Sequence, residues 1–207
     1  DEAAIDPREA LAALGAALAE RGGALRRGRA VVDVSERAVH FSDGGTERAD
    51  GIVLATGAWS AGLAPGAAPT PTKGQIVEVE SDAIAPGATV RAPNVYAVGR
   101  TDGRVVIGAT MEAGRTDLEA EASVSENLRA RAGAIDPRLA QAKIVRAWAG
   151  VRPMSADWAP RIGRAGAAIV ARGHSRNGWL LAPITAEIVA AHVFGDDLPD
   201  LWAAFAP

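Results

Sequence analysis

Leu11, Leu14 and Leu18 recur at helical spacing behind Asp6 and Pro7, and Gly22-Gly23 follows them. This pattern predicts a helix with Asp6 as its N-cap, Pro7 at its first position and the glycine pair as its stop. Strand-like runs come next at 30–34 and 38–41, then the polar turn Asp43-Gly44-Gly45. The run Ile52-Val53-Leu54-Ala55 is apolar throughout, as in a strand buried on both faces. Residues 61–72, rich in Ala, Pro and Gly, predict a crossing linker. From Lys73 the pattern turns to antiparallel strands at 75–80, 94–98 and 104–110, with Thr101-Asp102-Gly103-Arg104 as an Asp-Gly hairpin turn. Thr116 and Glu119 predict a capping box for a helix reaching about residue 131. A further strand is predicted at 143–150 and a short apolar one at 168–171. The segment Gly173-His174-Ser175-Arg176-Asn177-Gly178 separates the latter from a helix over roughly 179–194.

These elements predict a mixed α/β (α+β) fold in two interleaved regions. Residues 1–63 and 161–207 read as pieces of a doubly wound nucleotide-binding domain, and 70–160 as an antiparallel-sheet domain inserted between them. Ligands of open α/β sheets bind beyond the carboxyl ends of the strands. Two loops meet that condition: 56–60 and 173–178.

Composition narrows the chemistry. The chain has 207 residues, and its 22 Lys+Arg against 25 Asp+Glu leave no electrostatic footprint for nucleic acid. With no cysteine, disulfides, thiolate nucleophiles and sulfur-tethered flavins are excluded. His40, His174 and His192 are scattered, so no metal site is expected. The acidic start lacks the pattern of a signal peptide, and no apolar run has the length of a membrane span, so a soluble, cytoplasmic protein is expected.

Several residues offer chemistry, each beside a plainer role. The loop 173–178 follows a strand, carries two glycines and leads into a helix N-terminus, where free N–H groups favour an anionic or electron-rich partner. It also reads as an ordinary strand-to-helix loop with a surface arginine. Arg152, at the end of an apolar strand, suits bidentate pairing with a carboxylate or a rim ion pair. Tyr96 is the only tyrosine. Met111 lines a pocket or merely packs. Trp59, after Gly57-Ala58, covers a cofactor or closes the core.

Five motifs in order carry a resemblance. They are Leu54-Ala55-Thr56-Gly57-Ala58-Trp59-Ser60, Lys73-Gly74-Gln75, Val106-Ile107-Gly108-Ala109-Thr110-Met111-Glu112, Trp148-Ala149-Gly150-Val151-Arg152-Pro153, and 173–178 followed by Leu180-Leu181-Ala182-Pro183. The series resembles the FAD-dependent amine oxidases of the D-amino-acid oxidase superfamily, and most closely the glycine oxidases of thiamine biosynthesis. The resemblance implies an incomplete FAD-binding doubly wound domain with an inserted antiparallel-sheet substrate domain. By it, Arg152 pairs with the substrate carboxylate, Tyr96 helps to hold it, Met111 lines the pocket and Arg176 faces the substrate side. It assigns Val31 to the adenine, and Gly57, Trp59, His174, Ser175, Arg176, Asn177, Gly178, Trp179 and Leu180 to the cofactor. No catalytic acid, base or metal is implied. Asn94 stands where the family commonly has histidine.

The family opens with a Gly-x-Gly-x-x-Gly turn that holds the FAD pyrophosphate. No such sequence occurs in residues 1–207. The chain therefore reads as the C-terminal part of a flavoenzyme oxidising glycine or another small amino acid to the 2-oxo acid, ammonia and H2O2. Alone it is expected to be inactive and to hold FAD poorly. The expected partners are the substrate and a missing dinucleotide-binding segment or chain, with a homo-oligomer left open. Two other readings are a subunit of a heteromeric amino-acid dehydrogenase and a non-catalytic carboxylate-binding remnant.

Overall fold

The computed structural model describes residues 5–207. In chain order its elements are α1 (Pro7–Glu20), β1 (Val31–Ser35), β2 (Ala38–Phe41), β3 (Thr46–Arg48), β4 (Val53–Leu54), a 3-10 turn at Gly57–Trp59, and β5 (Thr70–Glu80). Then come β6 (Thr89–Ala92), β7 (Val95–Gly99), β8 (Arg104–Gly108), β9 (Glu112–Ala113), α2 (Ala122–Ala132) and α3 (Pro137–Gln141). The chain continues through β10 (Lys143–Met154), β11 (Arg161–Ala165), β12 (Ala168–Arg172), α4 (Gly178–Phe194) and a 3-10 segment at Asp200–Phe205. The chain divides into two compact units. The first comprises residues up to Arg27, Gly74–Met111 and Asp117–Gly150; the second comprises Gly28–Lys73, Glu112–Thr116 and Val151–Pro207.

The first unit is built on a sheet of order β10-β5-β8-β7-β6. Alternation places Val77 and Val79, Val95 and Ala97, and Val105 and Ile107 on one face, where they pack with Leu128 and Ala132 of α2 and Leu139 of α3. On the opposite parity, Tyr96 pairs with Gly108 and its ring lies over that glycine. A Cβ at position 108 would sit 2.6 Å from Tyr96 Cζ, so the ring position requires glycine there. Glu78, only 4% exposed, lies between Arg104 at 3.4 Å and Arg146 at 3.2 Å.

Helix α1 groups with this sheet and not with the second unit, which differs from the 1–63 boundary read from sequence. Its N-cap is Asp6 as predicted, accepting from the N–H groups of Arg8 and Glu9. The same carboxylate pairs with Arg100, and Arg8 stacks 5.6 Å over Trp148, itself 4.6 Å from Arg146. Leu11, Leu14 and Leu18 lie on the predicted face, yet all three are exposed.

Long-range pairing overrides the predicted capping box. Helix α2 starts at Ala122 behind Glu121, not at Thr116. Buried Gln75 accepts from the Glu121 N–H at 2.7 Å and donates to its carboxylate at 3.4 Å. A buried amide needs such partners, and satisfying it fixes the helix start. The linker predicted at 61–72 is also shorter, because Thr72 and Lys73 of β5 pair with Ala113 and Glu112 of β9 in the second unit. The strand predicted over 104–110 stops at Gly108, leaving Met111 half-exposed in the following loop.

In the second unit, β1, β2 and β3 form an antiparallel meander closed by the predicted Asp43-Gly44-Gly45 turn. Arg29 braces it, bonding Asp43 and Glu47 and stacking 3.8 Å over Phe41. A second sheet has the order β11-β12-β4. β12 runs parallel to β4 in the register Ile169↔Val53 and Val170↔Leu54, the pairing that the two apolar runs predict. Ile52, Leu54, Ala168 and Val170 pack with Val34 and Val39 of the meander and with Leu63 and Ala64. Helix α4 packs on β11 and β12, burying Ile188 and Ala191.

The tyrosine-on-glycine contact makes a direct prediction. Gly108→Ala should cost about 1–3 kcal/mol by overpacking, read from urea denaturation. In a Tyr96→Ala background the same change should cost less, because the ring that it meets is gone. Equal costs in both backgrounds would show that the ring does not set the requirement for glycine.

Candidate functional site

Because β4 and β12 are parallel neighbours, the loops after them emerge at the same edge of one sheet. After β4, Thr56 leads into the 3-10 turn Gly57–Trp59. Gly57 has φ +57, a left-handed value that a side chain would strain. Buried Ser60 donates to the Gly57 carbonyl at 2.7 Å and lies 3.0 Å from the Thr56 hydroxyl, which pins the turn and turns Trp59 out to solvent.

After β12, the loop 173–178 docks on the end of β10. The Ser175 N–H donates to the Pro153 carbonyl at 2.9 Å, and Met154 and His174 form a β-bridge. The Ser155 N–H donates to Ser175 Oγ at 3.2 Å. Arg152, partly buried, thus stands one residue from the carbonyl that anchors the loop. Gly173 and Ser175 both have positive φ, 74 and 54, and together they turn the chain toward the start of α4.

Helix α4 begins without a side-chain cap, because Asn177 makes no capping hydrogen bond. Its first intrahelical bond runs from Leu181 N–H to Asn177 O. The N–H groups of Gly178, Trp179 and Leu180 precede that bond on exposed residues at the positive end of the helix dipole. Arg176 is exposed beside them. His174 Nε2 lies 2.9 Å from the Thr185 hydroxyl, and burial pushes the imidazole below its ordinary pKa. The ring bonded to Thr185 holds the loop to α4.

The second unit thus gathers Arg152, Gly57, Trp59 and His174 to Leu180 around one sheet edge. Val31 opens β1, partly buried opposite Phe41. Tyr96 and Met111 belong to the first unit. Asn94 takes a left-handed φ of 61 in the tight turn from β6 to β7, a backbone role suited to asparagine. A cavity of about 660 Å³ opens among Asp50, Ile52, Arg164 and Ala168, at the amino ends of β4 and β12, away from both loops. Among the described residues, no group of His, Asp and Glu could hold a metal ion, and no helix is long and apolar enough to cross a membrane.

One residue of this edge escapes sequence reasoning. Arg172 ends β12 and is 3% exposed. Its Nη2 donates to the Pro65 carbonyl, while Nε and Nη1 are buried with no acceptor among the described residues. The signal was present: an arginine closes the otherwise apolar strand 168–171, directly before a glycine. The unmet donors of Arg172 and the open N–H groups of α4 suit an anionic, electron-rich cofactor at this edge.

A family model described as FAD dependent oxidoreductase matches residues 1–192. The chain is 38% identical over 191 residues to a glycine oxidase of Geobacillus kaustophilus, covering 86% of this chain and 50% of that protein. It is 32% identical to a bifunctional ThiO/ThiG protein of Synechocystis, covering 100% of this chain and 33% of that one. Among solved structures, glycine oxidase from Geobacillus kaustophilus matches with a TM-score of 0.84 at 33% identity, over 94% of this chain and 56% of that one. The chain spans about half the length of the glycine oxidases that it matches.

The state of His174 sets a pH dependence. Its pKa is depressed in the folded protein, so the unfolded chain binds more protons near the ordinary imidazole value. The neutral-ring contribution is complete above the unfolded pKa of about 6.5 and is lost as the pH falls through the folded value. Denaturation midpoints should therefore drop with acidification below that point, and His174→Gln should flatten this part of the profile. An unchanged slope in the variant would place the acid sensitivity elsewhere.

Proposed function

The chain belongs to the FAD dependent oxidoreductase family, and from that premise we propose that it forms the carboxyl-terminal part of an oxidase acting on glycine or another small amino acid. The observation that carries this reading is the shared carboxyl edge of β4 and β12, where two glycine-turned loops and the uncapped N-terminus of α4 converge. FAD, when bound, supplies the two-electron acceptor for amine oxidation.

The chain's own residues bind and orient. Val31, Gly57, Trp59, His174, Ser175, Asn177, Gly178, Trp179 and Leu180 are proposed for the cofactor. Arg152, Tyr96, Arg176 and Met111 are proposed for the substrate. Arg152 presents a planar fork to the substrate carboxylate, which fixes where Cα lies. The N–H groups that open α4 stabilise negative charge gathered beside them. His174 engages Thr185 through Nε2 and acts as a brace, and in this reading the substrate amine reacts in its neutral form without a protein base. Oxidation of the amine to an imine, then hydrolysis, releases the 2-oxo acid and ammonia, with O2 reduced to H2O2.

The same reading assigns the glycine-rich turn of the pyrophosphate cradle to polypeptide outside these 207 residues, with a role in thiamine biosynthesis. Its support is the length of the relatives, together with apolar Val53 left 41% exposed on β4, the last strand of its sheet.

Steady-state peroxide production by the complete protein tests the assignment, with flavin content checked for each variant. Arg152→Leu should lower kcat/KM by roughly 30- to several-thousand-fold, the equivalent of about 2–5 kcal/mol for losing one partner of a buried ion pair. Arg176→Leu should cost far less, because water reaches that side chain. A kcat/KM for Arg152→Leu within about threefold of the parent would move the carboxylate clamp to another residue.

A further inference from the structure

Arg172 is a buried cation of the second unit that the proposed chemistry leaves unused. Its cross-strand neighbour across the β11–β12 ladder is Arg161. Directly opposed residues of an antiparallel pair share a sheet face, and like charges placed there repel. Arg161 is compensated: it bonds Asp157 at 2.6 Å, and that hydrogen bond holds the Asp157 carboxyl below its ordinary pKa. Arg172 has no such partner. Its only acceptor is the Pro65 carbonyl, and Nε and Nη1 are buried and unmet among the described residues. A buried guanidinium without an anion is a costly arrangement. Replacing such a cation with an apolar side chain of similar volume is often neutral or stabilising.

Its place in the sheet indicates what would compensate it. Extending the register Ile169↔Val53 and Val170↔Leu54 sets Arg172 level with Thr56, where the first loop begins. It therefore stands at the carboxyl edge of a parallel pair, where open α/β sheets place the phosphates of nucleotides. The cover over it is a short segment, 62–66, bounded by Gly62 and Gly66 with φ of 79 and 88. Leu63 and Ala64 of this segment pack on the core of Ile52, Leu54 and Val170, so uncovering Arg172 means lifting those two side chains.

We propose that Arg172 is an oxyanion-binding residue at this edge, its Nε and Nη1 donating to phosphate oxygens of a dinucleotide once the 62–66 segment moves off them. The identity of the dinucleotide as FAD rests on the reading above; the oxyanion site does not.

Thermal unfolding of the 207-residue chain tests it without any turnover. Inorganic pyrophosphate, ADP and acetate are compared at matched ionic strength, in the parent, Arg172→Met and Arg172→Lys. The parent should gain on the order of 3 °C at ten times the pyrophosphate Kd, respond to ADP as well, and respond little to acetate. Arg172→Met should melt no lower than the parent in anion-free buffer and show no pyrophosphate shift. Arg172→Lys keeps the charge without the fork and should show a reduced shift, which decides the matter if the methionine variant does not fold.

An equal pyrophosphate shift in the variants, or none in the parent, would overturn the site. A matching shift with acetate would make the ligand a carboxylate and overturn the phosphate assignment. A lower melting point for Arg172→Met with no anion response in the parent would reduce Arg172 to a tie for the Pro65 carbonyl. Flavin binding by the complete protein is scored separately. A flavoprotein whose chain lacks the Arg172 response loses only the site, whereas a pyrophosphate response without flavin loses only the FAD reading.

Discussion

The parallel hydrogen bonding of β4 to β12 is the constraint on which the candidate site depends. Only two residue pairs define it, yet it joins strands more than a hundred residues apart and sends both following loops off the same edge. An antiparallel pairing of the same runs would have put 56–60 and 173–178 at opposite ends. The apolar contacts of Ile52, Leu54, Ala168 and Val170 with the β1–β3 meander favour this register, because a one-residue slip would turn them away from that core. With the register set, Ser60 uses its hydroxyl and Ser175 its hydroxyl and N–H to hold the loops, and the backbone of α4's first turn is left open.

Buried charge is met differently at two places, Glu78 of the first unit and Arg172 of the second. In the first, Glu78 is enclosed by Arg104 and Arg146, so the carboxylate is answered from two sides. In the second, Arg172 is enclosed with a single carbonyl, among the described residues, for its three nitrogens. A stable fold tolerates the former at little net cost and pays for the latter, which is why an unmet guanidinium is informative where a satisfied one is not.

Much of this was legible in the sequence because it is local or strongly periodic. Asp6 and Pro7 announced α1, the Asp-Gly turn at 102–103 announced the β7–β8 hairpin, and the apolar runs at 52–55 and 168–171 announced the parallel pair. The mixed α/β fold, the FAD family and the glycine oxidase likeness followed from five motifs, of which three lie largely in β5, β8 and β10 and two form the loops after β4 and β12. What was missed depends on distance. The Thr116–Glu119 capping signature lost to Gln75, more than forty residues earlier in the chain, which captures Glu121 instead. Helix α1 joined the first unit through Arg100 and Trp148, neither of which its own sequence indicates. Arg172 went unread, because its contact with the Pro65 carbonyl joins positions far apart in the chain.

The central claim is that the β4–β12 edge is the flavin side of an amino-acid oxidase. The visible absorption spectrum of the complete protein, followed anaerobically on adding glycine, tests it most directly. The account predicts an oxidised flavin spectrum that glycine or another small amino acid bleaches and that returns on admitting air. A colourless protein, or a flavin band that no small amino acid reduces, would contradict it.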